Sequence, residues 1–131
     1  MKPKKAKQQR LNIHTEFDIT DEDCAALSHA LTFVGLLEDF SYVDEKISYD
    51  SALNAEDKLF CNTKELSRGE VNATARAIDV VLLRLPGHVS DFSYMEDDLP
   101  DFLTDLEKEL PLLQALQPVF HHAVTYLKKH K

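Results

Sequence analysis

The sequence predicts an all-α fold, a bundle of four or five helices around a central apolar helix at about residues 67–85. Apolar residues recur at helical spacing in several segments, most densely in that central one. Only three of the 131 residues are glycine, so few positions suit the tight turns of an all-β fold. The length fits one domain with a single core. We therefore expect one helical domain over residues 11–131, preceded by a disordered basic tail over residues 1–10.

Residues 11–19 depart from the helical pattern because apolar and polar residues alternate there. The alternating set is Leu11, Ile13, Thr15, Phe17 and Ile19. A period of two is typical of a strand with one buried face. The bundle is therefore predicted either with or without an extended, β-like N-terminal arm over residues 11–19. Because an unpaired strand is not stable alone, the arm would pack on the helices, pair with residues 42–49, or pair with another chain.

The first predicted helix spans about residues 21–40. Thr20 is placed to accept a hydrogen bond from the Asp23 amide, and acidic residues fill the first turn, where the helix dipole favours negative charge. Ile19, just before the cap, can pack on Cys24 inside the helix. The expected core-facing residues are Cys24, Leu27, Ala30, Leu31, Phe33, Val34, Leu37 and Phe40.

A second, shorter helix is predicted within residues 43–63. It would follow Ser48 or Ser51, since serine is a favoured N-cap residue. Its apolar stripe is thin and consists of Ala52, Leu53, Leu59 and Phe60.

The third predicted helix is the central one. Ser67 and Glu70 have the spacing of a capping box, in which each side chain binds the backbone amide of the other residue. Leu66 and Val71 flank the box as a hydrophobic staple. Residues 77–85 are apolar on almost every side, which is typical of a buried helix. The apolar residues at helical spacing are Val71, Ala75, Ile78, Leu82 and Leu85, and Pro86–Gly87 ends the helix.

The last third of the chain predicts an acidic loop over residues 88–98 and a helix that begins near Asp98, with Pro100 in its first turn. Proline inside a helix costs about 3 kcal/mol because it removes a hydrogen bond and clashes with the preceding turn. Pro111 and Pro118 therefore predict two further segments, roughly 111–117 and 118–129, separated by kinks or breaks.

Charge is distributed unevenly along the chain. The net charge is −8 overall, from 15 Lys and Arg against 23 Asp and Glu. Eight of the 15 bases lie in residues 1–10 and 128–131, so residues 11–127 carry all 23 carboxylates against the remaining seven bases, a net charge of −16. Such a body repels nucleic-acid phosphates and anionic membranes and attracts basic surfaces. We expect a protein partner with a basic surface, or a second copy of this chain, and no direct contact with nucleic acid or membrane.

Compartment and redox state follow from what the sequence lacks. Residues 1–10 are basic with no apolar run after them, and no stretch of 18 apolar residues occurs in the sequence. A cytoplasmic location is therefore expected. Cys24 and Cys61 form no CxxC motif and are expected to be reduced.

The segment from Asp91 to Glu109 is the candidate site. It holds eight carboxylates and the single base Lys108, with aromatic residues interleaved. One interpretation is a binding site for a hard cation such as calcium or magnesium, although the segment lacks the glycine and spacing of an EF-hand loop. A second interpretation is a charged helix face that is simply exposed to water. The third is a surface that anchors a basic partner through aromatic residues and steers it by charge. The predicted partner-binding residues are Phe92, Tyr94, Asp97, Asp98, Asp101 and Asp105.

No motif for catalysis, a cofactor or a metal is present. The sequence has no GxSxG, GxGxxG, P-loop or HExxH pattern, and the adjacent His121 and His122 would point about 100° apart on a helix. Asp79 lies three residues after Arg76 and is expected to form an ion pair at the helix edge. No cofactor and no metal are therefore expected.

These observations predict a small acidic helical module, of a regulatory, adaptor or inhibitor-like kind, that binds a basic protein surface or self-associates. Its sharper form is an acidic inhibitor that covers a basic site on its target. The alternative is a small helical enzyme or metal-binding bundle that uses carboxylates with His29, His121 or His122.

Overall fold

The computed structural model describes residues 10–12, 19–36, 49–62 and 65–129. The fold is an all-α bundle, as the sequence predicts, with one short strand pair attached. In chain order the elements are β1 (Arg10–Asn12), α1 (Asp21–Leu36), α2 (Tyr49–Phe60), β2 (Glu65–Ser67), α3 (Arg68–Arg84), a 3-10 segment (Val89–Asp97), α4 (Phe102–Lys108) and α5 (Leu110–Lys129). Helix α3 packs against α1, α2 and α5, so it is the centre of the bundle.

Helix α1 begins with the predicted cap. The Asp23 amide donates to Thr20 Oγ1 at 3.1 Å, and the Thr20 amide donates to Asp23 Oδ2 at the same distance. Ile19, just before this cap, is fully buried. The helix is described to Leu36, and the predicted extension over residues 37–40 lies outside the described residues.

Helix α2 confirms the predicted second helix, but not its whole apolar stripe. Ala52, Ala55 and Leu59 are buried, at a spacing of three and four residues. Leu53 and Phe60 are exposed because each lies one position further on and about 100° around the helix from the buried face.

Helix α3 has the predicted capping box. The Glu70 amide donates to Ser67 Oγ, and the Ser67 amide donates to Glu70 Oε1 at 2.9 Å. The helix is buried on most sides from Val71 to Val81. The prediction of an apolar helix buried almost all round is wrong at its end, where Leu82 is only partly buried and Leu83 is 79% exposed. Leu83 lies seven residues, or about two turns, after the exposed Arg76, so the two share one solvent face.

The two strands form a minimal antiparallel ladder in which Arg10 pairs with Ser67, Leu11 with Leu66 and Asn12 with Glu65. The β-like arm is therefore extended where it is described, and its partner is a strand that the sequence pattern does not reveal. Residues 1–9 and 13–18 of the tail and arm, and residues 42–48 of the alternative pairing segment, lie outside the described residues.

The predicted acidic loop is instead a 3-10 segment. The segment consists of 3-10 turns with a kink at Phe92, whose φ of −111° and ψ of 16° are not helical. Val89, Phe92 and Met95 recur in it every three residues; Phe92 and Met95 are buried and Val89 is partly buried, so these side chains pack on the core. Helix α4 begins at Phe102, about four residues later than predicted, and Pro100 precedes it.

Helix α5 is continuous across Pro118, which corrects the prediction of two segments. Leu113, Leu116, Phe120 and Ala123 are buried along one face that continues past the proline. Pro118 itself is exposed, so the backbone carbonyl that loses its hydrogen bond there can be hydrated. Pro111 lies in the first turn, where proline removes no helical hydrogen bond. Within the part of the chain that the structure describes, no helix is long and apolar enough to cross a membrane.

Candidate partner-binding surface

The predicted site lies on the 3-10 segment and α4, which follow the end of the central helix. The side chains of Asp97, Asp98, Asp101 and Asp105 are all exposed, and Tyr94 is 53% exposed beside them. We call these five residues the acidic surface. They come from the 3-10 segment, the turn after it and the start of α4; the two elements pack against each other, so the structure brings the five residues into one region of the molecule.

Phe92, the sixth predicted partner-binding residue, belongs to the core. Its side chain is only 7% exposed, and its ring packs edge-to-face on Phe33 of α1, with ring centroids 5.0 Å apart. The guanidinium carbon of Arg84 lies 5.9 Å from the centroid of the same ring. Phe92 therefore packs the 3-10 segment onto α1 and does not face a partner, which corrects the prediction for this residue. The period of three, Val89–Phe92–Met95, is the sequence signal that separates it from Tyr94.

The carboxylates of this region fall into two groups. Glu96 and Glu109 are partly buried and bind other parts of the chain, whereas the four aspartates of the acidic surface are exposed. Among the described residues, Asp97, Asp98 and Asp101 have no ion-pair partner. The structure thus separates the carboxylates that hold the fold from those that face solvent.

Glu96 caps helix α4 from outside the helix. Its Oε2 accepts a hydrogen bond from the Phe102 amide at 3.0 Å, and its Oε1 accepts one from the Leu103 amide at 2.9 Å. The residue at the N-cap position, Asp101, makes no side-chain cap bond. Glu96 therefore satisfies two of the free amides of α4 and joins the 3-10 segment to that helix.

Replacing Glu96 with alanine is expected to lower the free energy of unfolding by about 1–2 kcal/mol, because it removes the cap of a seven-residue helix. Urea unfolding of the full chain measures the loss. The matched control is Asp97→Ala, an exposed neighbour for which we expect a change within about 0.5 kcal/mol. Equal losses in the two variants would show that the cap contributes no stability.

A helix that began near Asp98 would place Asp98, Asp101 and Asp105 on one face, since they are three and four residues apart. That face does not form, because α4 starts only at Phe102. Asp98 lies in the turn before it, and Asp101 has a left-handed backbone with φ of 65°. Aspartate tolerates that conformation better than most residues with a side chain. The three carboxylates are therefore spread over the turn and the first turn of α4.

The histidines pair with carboxylates in separate places. His29 Nδ1 lies 2.8 Å from Glu109 Oε1, and His88 Nδ1 lies 3.1 Å from Asp91 Oδ2. His121 Nε2 lies 2.8 Å from Asp79 Oδ1, which also accepts a hydrogen bond from Gln117. Asp79 is thus bound across to α5, and its ion pair with Arg76 stays a prediction. In the described residues, no three His, Cys, Asp or Glu side chains converge as a metal site would require.

The pKa of His29 is raised above its ordinary value of 6.5. The largest cause is the hydrogen bond to Glu109, and the negative charges of Glu109 and Asp105 act in the same direction, while partial burial opposes them. Sequence reasoning did not find this pair because its members are 80 residues apart.

Comparisons of the chain with protein-family models, curated proteins and solved structures returned no match.

Proposed function

We propose that the protein is a small acidic interaction module that binds a basic protein surface through its acidic surface. The observation that carries the proposal is the separation of roles in residues 88–109. Glu96 and Glu109 hold the backbone in place, and Phe92, Met95 and Phe102 anchor it to the core. The aspartates of the acidic surface are left exposed on this anchored support.

Charge supports a basic partner. Residues 88–109 contain eight carboxylates and one base, Lys108, so their field is strongly negative. Charges fixed on a rigid support attract an oppositely charged surface during encounter and raise the association rate. Because the backbone is already ordered, a partner would not have to supply the free energy of ordering it.

Tyr94 supplies the apolar component of the proposed contact. Its side chain is exposed, whereas Phe92 and Phe102, the other aromatic residues in this segment, are buried. Tyrosine is one of the residue types that dominate binding energy at interfaces. Leu99, also exposed, lies in the turn between Asp98 and Pro100. An exposed tyrosine and an exposed leucine in the same acidic segment are suited to a basic surface that carries an apolar pocket.

The test compares two variants with the same net charge. In the first, Asp97, Asp98, Asp101 and Asp105 are each replaced by Asn, a residue of nearly equal shape that also tolerates the left-handed backbone at 101. In the matched control, the exposed residues Glu22, Asp50, Asp57 and Glu65 are replaced by Gln or Asn. Each set removes four negative charges, so both variants go from −8 to −4.

Partners are captured with the parent chain from native cell extract and identified, and binding is then measured at low and high salt. We expect association of the first variant to slow by about tenfold at low salt, and by much less at high salt, because screening removes the steering. Tyr94→Ala should instead speed dissociation. Equal effects of the two four-residue variants would show that only net charge matters, and unchanged rates in both would place the contact elsewhere. Sedimentation of the parent chain decides whether the partner is a second copy.

A further inference from the structure

Glu109 occupies the junction of three helices. Its amide closes the end of α4 by donating to the carbonyls of Asp105 and Leu106 at 3.1 and 3.0 Å. Its own carbonyl accepts from the Leu113 amide at 3.0 Å and so starts α5. Its carboxylate reaches His29 in the middle of α1. One residue therefore fixes the α4–α5 junction internally and connects it to α1.

His29 also contacts the other end of α4. Its imidazole lies edge-to-face against the Phe102 ring, with ring centroids 5.9 Å apart and an interplanar angle of 88°. Phe102 and Glu109 are seven residues apart, which is two helical turns, so both lie on the face of α4 that is turned toward α1. A single side chain of α1 therefore contacts the beginning and the end of the short helix that carries Asp105.

We propose that His29 is a pH-sensitive clamp that holds α4, and with it the acidic surface, against α1. In the protonated form the imidazolium and the Glu109 carboxylate form a charged hydrogen bond, and the positive charge also attracts Asp105. In the neutral form the ring can still donate one hydrogen bond, but the charge attraction is lost. Charged hydrogen bonds are stronger than neutral ones, so deprotonation weakens the attachment of α4.

The charged groups around His29 leave its pair with Glu109 as the main influence on the charge of the imidazole. Helix α1 carries no Asp, Glu, Lys or Arg after Asp23. Glu56, on the neighbouring helix α2, accepts a hydrogen bond from Thr32, which lies one turn beyond His29 on α1. Arg84, on the neighbouring helix α3, lies over the Phe92 ring. Among the described groups, those that act on the imidazole are Glu109 and Asp105, and no charged group of α5 is among them.

The sign of the pH effect follows from the raised pKa of His29. A group whose pKa is higher in the folded state than in the unfolded state stabilises the folded state when it is protonated. For His29 this contribution is complete at a pH below its ordinary pKa of 6.5. This contribution decreases as the pH rises through the raised pKa and is absent above it. The clamp therefore acts in mildly acidic solution and is released in mildly alkaline solution.

The experiment uses the free chain of 131 residues, so its outcome does not depend on whether a partner binds. Hydrogen exchange is measured at about pH 6 and about pH 8.5, on either side of the imidazole titration, and protection factors are corrected for intrinsic exchange. We expect protection of the α4 amides to fall by about two- to fivefold at the higher pH, the range for a partly exposed ion pair. NMR titration of the His29 ring should give a pKa above 6.5.

Three variants make the test specific. His29→Gln keeps a hydrogen-bond donor without a titratable charge, and it should make α4 protection independent of pH. Glu109→Gln should reduce the pH dependence, leaving only the attraction to Asp105, and should also lower the pKa of His29. His88→Gln is the control, because His88 pairs with Asp91 on the exposed side of the neighbouring 3-10 segment. The proposal is overturned if α4 protection in the parent does not change with pH, or if it still changes in His29→Gln.

Discussion

Ile78→Ala is expected to lower the free energy of unfolding by about 2–5 kcal/mol, the range for removing a buried aliphatic side chain. Ile78 is fully buried on α3, the helix that packs against α1, α2 and α5. Truncation leaves a cavity at the centre of the bundle, where three neighbouring helices restrict collapse. Urea unfolding followed by circular dichroism measures the loss, and an unchanged denaturant slope would show that the unfolding transition itself is the same.

Two neighbours on the same helix provide the controls. Leu82 is only partly buried, so Leu82→Ala should cost less than Ile78→Ala. Leu83 is 79% exposed, and its truncation should change stability by no more than about 0.5 kcal/mol. The expected order is therefore Ile78, then Leu82, then Leu83. If Leu83→Ala proves as costly as Ile78→Ala, the exposed face of α3 has been placed wrongly.

The elements that the sequence predicts well are those defined by local chemistry. The Thr20–Asp23 cap and the Ser67–Glu70 box each join residues three apart, and both are present. The apolar periodicity of α3 also locates its buried face as far as Val81. These features depend on residues within one or two helical turns, so the sequence alone contains the information.

The features that the sequence does not predict depend on distant parts of the chain. Leu83 is as apolar as Leu82 but faces solvent, because no described element packs on that side of α3. Pro118 is tolerated because its helix face is exposed while the opposite face packs on α3. The pairing of β1 with β2 joins segments more than 50 residues apart. Only the tertiary arrangement determines these outcomes.

The candidate site shows the same division. The exposure of Asp97, Asp98 and Asp101 follows from local composition, since most carboxylates lie at the surface. The roles of Glu96 and Glu109 do not, because one caps a helix six residues away and the other binds a histidine 80 residues away. A run of eight carboxylates therefore looks uniform in sequence, although two of its members are structural.

Glu70→Ala is the second substitution with a large expected effect, a loss of about 2–4 kcal/mol in the free energy of unfolding. The Glu70 carboxylate is the most buried of those in the described residues, with the residue 5% exposed. Its Oε1 accepts hydrogen bonds from the Ser67 amide at 2.9 Å and from Lys58 Nζ at 2.8 Å. It thus joins the start of α3, the end of β2 and helix α2. Truncation leaves both donors without this acceptor, and the amide is part of a helix cap.

Two further variants separate the contributions of Glu70. Ser67→Ala removes only the reciprocal cap bond to the Glu70 amide and should cost about 1 kcal/mol. Glu70→Gln keeps an oxygen for the Ser67 amide but loses the charge that attracts Lys58, so its loss should lie between those of the other two. Urea unfolding of the three variants tests this order. A Glu70→Ala loss no greater than that of Ser67→Ala would mean that the bond to Lys58 contributes nothing. The carboxylate would then act only as a helix cap.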